Sequence, residues 1–289
     1  MIVELLSVAY GIISMLGYGF SDFLSKRVVG DIGYFRLVMY TQLVALAPVL
    51  LLGVIYTPHV PLSPTSIAPI IASGVCSFLA LFFFYKGLET GKASIIVTVF
   101  STYAIVAIVL SFAVFGQTLS LPQIVCIAVT LIGVLTITFR SDSTERSNAG
   151  IPYALASMLS AGLGAVLIRV VSNDVGEIAS LFFNRIIAVL AVIIIGALFL
   201  RSHLRSGTRE GFPIKSIILI GLAEFAAFFS FVVGVSVGVV SLVATISSAS
   251  PAVTVVLAYT FLKERLSKSH RYAVVLVIVG ILLLSVAST

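Results

Sequence analysis

"ASIIVTVFSTYAIVAIVLSFAVFGQTLSLPQIVCIAVTLIGVLTITF", residues 93 to 139, runs from Lys92 to Arg140 without one charged side chain. A bilayer core takes about 20 apolar residues of helix, so the stretch holds two spans, with "GQTLSLP" as the turn between them. The interval from Arg36 to Lys86 reads the same way. Over all 289 residues the chain is 60% hydrophobic and only 10% charged, where soluble domains are about one quarter charged. The fold class is therefore an all-α, multi-pass membrane protein with the lipid bilayer as its first partner. The net charge of +6 does not point to nucleic acid, because the basic residues lie between spans, where they set orientation. The first apolar run lacks a basic leader, carries Glu4 and continues to about Leu24, as a spanning helix does and a signal peptide does not.

Apolar runs and their breaks predict ten spans, at about 4–25, 32–56, 65–86, 93–115, 121–139, 151–170, 177–200, 214–234, 240–262 and 269–287. The polar "RSDSTERSNAG", residues 140–150, falls between the fifth and sixth. The organisation expected is a first five-helix repeat over 1–139, a cytoplasmic linker over 140–150 and a second repeat over 151–289. A shift of 147 residues places Gly74 on Gly221, Phe78 on Phe225, Phe84 on Phe231, Gly87 on Gly234 and Gly133 on Gly280. A slightly different shift aligns "YGIISMLGYG" (10–19) with "YALASMLSAG" (153–162), and Arg36 is paired with Arg185.

An odd number of spans per copy threads the two copies in opposite directions, giving inverted repeats. Loops after the odd-numbered spans carry 14 Lys and Arg against Arg169 alone on the other face. The positive-inside rule makes the basic face cytoplasmic and both termini extracytoplasmic. Inverted repeats place a substrate site near the midplane between the halves and permit alternating access.

The closing "SLVATISSASPAVTVVLAYTFLKERLSKSHRYAVVLVIVGILLLS" (241–285) has a Ser-Pro pair at Ser250-Pro251, a glutamate at Glu264 and a glycine at Gly280. With ten spans in two halves, the chain resembles the drug/metabolite transporter superfamily, specifically its EamA-type members. In the first half Ala104 and Gln117 stand for the proline and glutamate, while Gly133 is kept. The resemblance implies a secondary carrier of small organic metabolites, amino acids or related solutes and drugs. It also implies cytoplasmic termini, the reverse of what the loop charges give.

Candidate substrate-binding or coupling residues follow from polarity inside spans. Glu224, in "GLAEFAAFF", is the one carboxylate that no helix end or local lysine explains, and an ionisable group at that depth is a functional candidate by default. Its repeat partner is Ser77. Ser241, Thr245 and Ser248 share one helix face and match Ser94, Thr98 and Ser101; close helix packing is the plainer account of that stripe. Pro251 leaves the Ser247 carbonyl without its helical donor and is expected to kink the ninth span. Tyr18 and Tyr103 complete the set. Matched aromatic sets, Phe82 to Tyr85 and Phe225 to Phe231, are expected to pack or face lipid, with inward members lining a cavity. Asp22 reads as a helix ion pair with Lys26, and Arg36 and Arg185 as snorkelling side chains.

Cys76 and Cys126 read as small core residues. No P-loop and no H-E-x-x-H occur, so no cofactor and no metal are expected. The competing class is an intramembrane enzyme acting on lipid or peptide, which needs a nucleophile with a base or several metal ligands. No histidine lies deep in a span to serve it. The oligomeric state is not set by the sequence.

Overall fold

The computed structural model describes residues 2–56, 63–90, 96, 99–139, 148–199, 213–262 and 268–287. Thr98, Ser94, Glu264, His59, His203 and most of the expected linker lie outside them. The described chain is helical: α1 (Ile2–Ile32), α2 (Tyr34–Tyr56), α3 (Pro64–Thr90), α4 (Tyr103–Phe115) and α5 (Leu121–Phe139) form the first half. The second comprises α6 (Ile151–Val175), α7 (Glu177–Phe199), α8 (Ile214–Val237), α9 (Val240–Ser247), α10 (Ser250–Leu262) and α11 (Lys268–Ala287). Among the described residues seven helical segments are long and apolar enough to cross a membrane, α9 and α10 counting as one; Val99–Phe115, Leu121–Thr136 and Tyr272–Leu284 are shorter apolar helices.

Several helices outrun their apolar cores. α1 continues past Lys26 and Arg27, α3 past Lys86 and α6 past Arg169, since a lysine or arginine is itself a good helix former and does not end a helix. Glycine ends two of them. Gly33 (φ 79°) and Gly176 (φ 84°) both have a positive φ, which glycine adopts at no steric cost, and their amides donate to the carbonyls four residues back, Val29 and Ser172, at 2.9 Å each.

These two glycines are 143 residues apart, as are the two "SML" segments. The same shift superposes the buried faces of α2 and α7: Val38, Thr41, Gln42, Ala45 and Val49 fall on Leu181, Asn184, Arg185, Ala188 and Val192, all buried. The first two helices of each half thus follow a shift of 143 and the later ones 147, the second half having four extra residues between. This corrects the pairing of Arg36 with Arg185. The counterpart of Arg185 is Gln42.

With that register, close contacts between halves occur in exchanged pairs. A methyl group on Gly19 would stand 2.8 Å from the Ser250 carbonyl oxygen, and one on Gly162 would stand 2.9 Å from that of Tyr103. Gly74 stands equally close to the Asn184 carbonyl and Gly221 to that of Thr41, at 3.0 Å, while Gly133 meets the Val277 amide and Gly280 the Thr130 amide, also at 3.0 Å. Lipid tails are as apolar as leucine, so such backbone approach, rather than hydrophobic burial, holds membrane helices together. It joins α1 to α10, α6 to α4, α3 to α7, α8 to α2 and α5 to α11 across the halves.

The expected kink at Pro251 is instead a helix break before it. The chain turns at Ser248 and Ala249, and Pro251 lies in the first turn of α10, where a missing amide costs little. Ala249 donates to the Ile246 carbonyl and Ala252 to that of Ala249. The equivalent pair, Thr102 to Val99 and Ile105 to Thr102, is present in the first half, where Ala104 replaces the proline. The break therefore belongs to the repeat and does not depend on proline.

Candidate functional site

A cavity of about 120 Å³ lies between the halves, and its walls obey the same repeat. On α3, Ser77, Leu81 and Phe84 share one face by their four-and-three spacing. On α8 the equivalents Glu224, Phe228 and Phe231 do the same. Phe100 and Tyr103 at the first break correspond to Ser247 and Ser250 at the second. Tyr18 and Asp22 of α1 correspond to Ala161 and Ala165 of α6, and Gln42 to Arg185. The two halves give the cavity its frame and fill it differently: all three charges, Asp22, Arg185 and Glu224, stand opposite uncharged counterparts.

Arg185 Nη1 donates to Gln42 Oε1, joining the two equivalent positions to each other. Its guanidinium also stacks over Phe228, with Cζ 4.8 Å from the ring centroid, a cation–π contact that is stronger for being away from water. Glu224 is buried; its Oε1 accepts a hydrogen bond from the Tyr85 hydroxyl at 3.1 Å, and that hydroxyl lies 3.3 Å from Ser25 Oγ. Asn184 Nδ2 donates to Ser77 Oγ at 3.0 Å. Asp22 Oδ2 is 3.5 Å from Ser250 Oγ at the start of α10, and Ser247 Oγ lies 2.8 Å from Ser14 Oγ.

Three of these groups remain unmatched. Gln42 Nε2, Arg185 Nε and Glu224 Oε2 are buried without a hydrogen bond of normal geometry, the Ser21 and Thr41 hydroxyls standing near the Glu224 carboxylate. A buried polar atom without a partner costs about 1–3 kcal/mol, more when charged. Two donors and an acceptor are thus left open among the residues that line one cavity.

Of the residues picked from the sequence, Glu224, Ser77, Tyr18, Tyr103 and Ser247 line this cavity. Thr245 and Ser248 do not: their hydroxyls donate to carbonyls of their own segment, Ser241 at 2.7 Å and Thr245 at 2.8 Å. Ser101 and Pro251 are buried and do not line it, Pro251 lying in the first turn of α10. Two expectations are overturned. Asp22 faces the cavity and makes no ion pair with Lys26, and Arg185 does not snorkel but is 5% exposed at the centre of the molecule. Arg36 is likewise buried. Sequence reasoning missed Gln42, Asn184 and Arg185, which the 143-residue register would have brought together.

The EamA-like transporter family matches the chain twice, over residues 5–139 and 148–286. The chain belongs to the EamA-like transporter family. As its two matches fall on the two halves, the duplication seen in the glycine contacts is a duplication of the family unit. A solved crystal structure has the same fold, with a TM-score of 0.77 and 16% identity over 96% of this chain and 95% of that one. No curated protein matches this EamA-like chain.

Proposed function

We propose that this EamA-like protein is a secondary transporter that moves small organic metabolites, amino acids or related solutes, by alternating access between two inverted repeats of five spans. The observation that carries the reading is the central cavity with buried, unpartnered polar groups of both kinds, set where the two halves meet. Seven long apolar helices and three shorter ones among the described residues are compatible with ten spans, and five per half would invert the second copy. Contacts made twice with the halves exchanged support a molecule whose two ends can trade conformations.

The chemistry of the cavity narrows its ligands. Arg185 Nε and Gln42 Nε2 present N–H donors to an anionic oxygen group, and Glu224 Oε2 accepts from a protonated amine or takes a proton itself. Phe84, Phe228 and Phe231 add apolar wall for a carbon skeleton. Amino acids carry both polar groups on such a skeleton. Glu224 is the coupling group in this scheme: a carboxylate left half-satisfied in the empty cavity is completed by either a proton or a cationic substrate, so the two compete for one atom.

The experiment is flux in proteoliposomes across a panel of labelled metabolites, with and without a pH gradient. Accumulation of at least one zwitterionic metabolite above its equilibrium level under the gradient supports the reading. No flux of any solute from protein shown to be folded contradicts it.

A further inference from the structure

Since the repeat gives each contact a counterpart, a contact made in one half and absent from the other marks where the molecule departs from symmetry. Arg169, near the end of α6, donates from Nη1 to the carbonyl of Val235 at 2.9 Å. That carbonyl lies in the last turn of α8, at the negative end of its dipole, where a cation is favoured. The shift of 143 carries Arg169 to Lys26. Their buried neighbours secure the register, Ser25 and Val28 falling on Ile168 and Val171. The shift of 147 carries Val235 to Leu88, with Phe84, Tyr85 and Gly87 on Phe231, Val232 and Gly234.

The counterpart contact is absent. Lys26 is exposed and makes no hydrogen bond among the described residues, and Leu88 is partly exposed where Val235 is fully buried. The Arg169 end is sealed further. The Val239 amide donates to Ser7 Oγ at 2.8 Å, and every residue of α9 is buried. Arg169 is also the single basic residue on a face otherwise free of Lys and Arg in its loops, so charge-driven orientation does not account for it.

We infer that Lys26 and Arg169 are reciprocal latches on the two ends of the cavity. In the state described here Arg169 holds α6 to the end of α8 and its end is shut. In the opposite state Lys26 Nζ donates to the Leu88 carbonyl, drawing α1 onto the end of α3, and Arg169 releases Val235. Each latch joins the first and third helices of its own half, and because the proposed halves are inverted the two latches stand at opposite ends, so closing one end is the mirror of opening the other. The inference rests on the alternating-access reading above. It adds the residues that set the balance between its two states.

The test uses the full-length protein with Cys76→Ser and Cys126→Ser and a reporter, Ser160→Cys, on the cavity wall. In vesicles of known sidedness, an impermeant maleimide is applied to one face or the other and the two labelling rates are compared. The parent is expected to label faster from the Lys26 face. Arg169→Ala should move the ratio about tenfold toward the Arg169 face, the order expected for one hydrogen bond from a charged donor, and Lys26→Ala should move it the opposite way. Arg169→Lys, which keeps a cationic donor, should restore the parent ratio and guards against a folding defect. Labelling from both faces with an unshifted ratio, or shifted the same way by both alanine variants, overturns the latch alone. Labelling confined to the Lys26 face in the parent and in every variant contradicts alternating access, and the latch with it.

Discussion

Arg185 is a guanidinium buried at the centre of a membrane protein with one nitrogen given to Gln42 and another left open. Burying such an ion costs several kcal/mol unless other interactions offset it. The Phe228 ring, the Gln42 oxygen and the nearby Glu224 charge supply part of that, and an anionic ligand group is suited to supply more. Lysine has the charge but not the planar fork that reaches Gln42 and the cavity at once. Arg185→Lys is therefore expected to lower the kcat/KM of transport by about tenfold, ~1.4 kcal/mol, with folded yield unchanged, as initial rates against substrate concentration in proteoliposomes would show. Glu224 was legible in the sequence because a carboxylate in mid-span stands out against an apolar run. Arg185 was not, because a position near the start of an apolar run is equally compatible with snorkelling, and only the buried face of α7 decides between the two.

Among the elements, the helix bounds were legible to within a few residues where loops are polar, and too short where a helix continues past basic residues. The inward faces were not legible, because helices apolar all round carry no amphipathic signal and lipid does not distinguish them from a core. Four extra residues between the second and third helices of the second half further hid the true register of α2 and α7. The glycine contacts and the helix breaks make separable predictions. Gly74→Leu drives a side chain into Ile187 and the Asn184 carbonyl, and overpacking of that kind costs about 1–3 kcal/mol; it is expected to lower thermal stability in detergent. Pro251→Ala should leave stability near the parent's, since the first half makes the same break with Ala104, while slowing flux by freeing the fixed backbone angle at the head of α10. Thermal unfolding and flux measured on both variants separate the two effects.

For the molecule as a whole, the inverted repeat proposed above would make the fold similar either way up, so the architecture would be independent of orientation while the direction of the proposed transport would not. From the loop charges the Lys26 face is expected in the cytoplasm. Cysteines introduced at Ser206 and Thr289 are accordingly expected to label from opposite sides, Ser206 from the cytoplasm; labelling of the Ser206 position in intact cells by an impermeant reagent would show the reverse threading. The central claim, that the cavity between the halves is the transport site and Glu224 its coupling group, is tested most directly by Glu224→Gln. This change keeps shape and hydrogen bonding but removes titration and charge. In proteoliposomes the parent is predicted to accumulate substrate under an imposed pH gradient, and the variant, reconstituted to the same level, to lose that accumulation across the whole pH range. A variant that accumulates substrate like the parent at every pH would contradict the account.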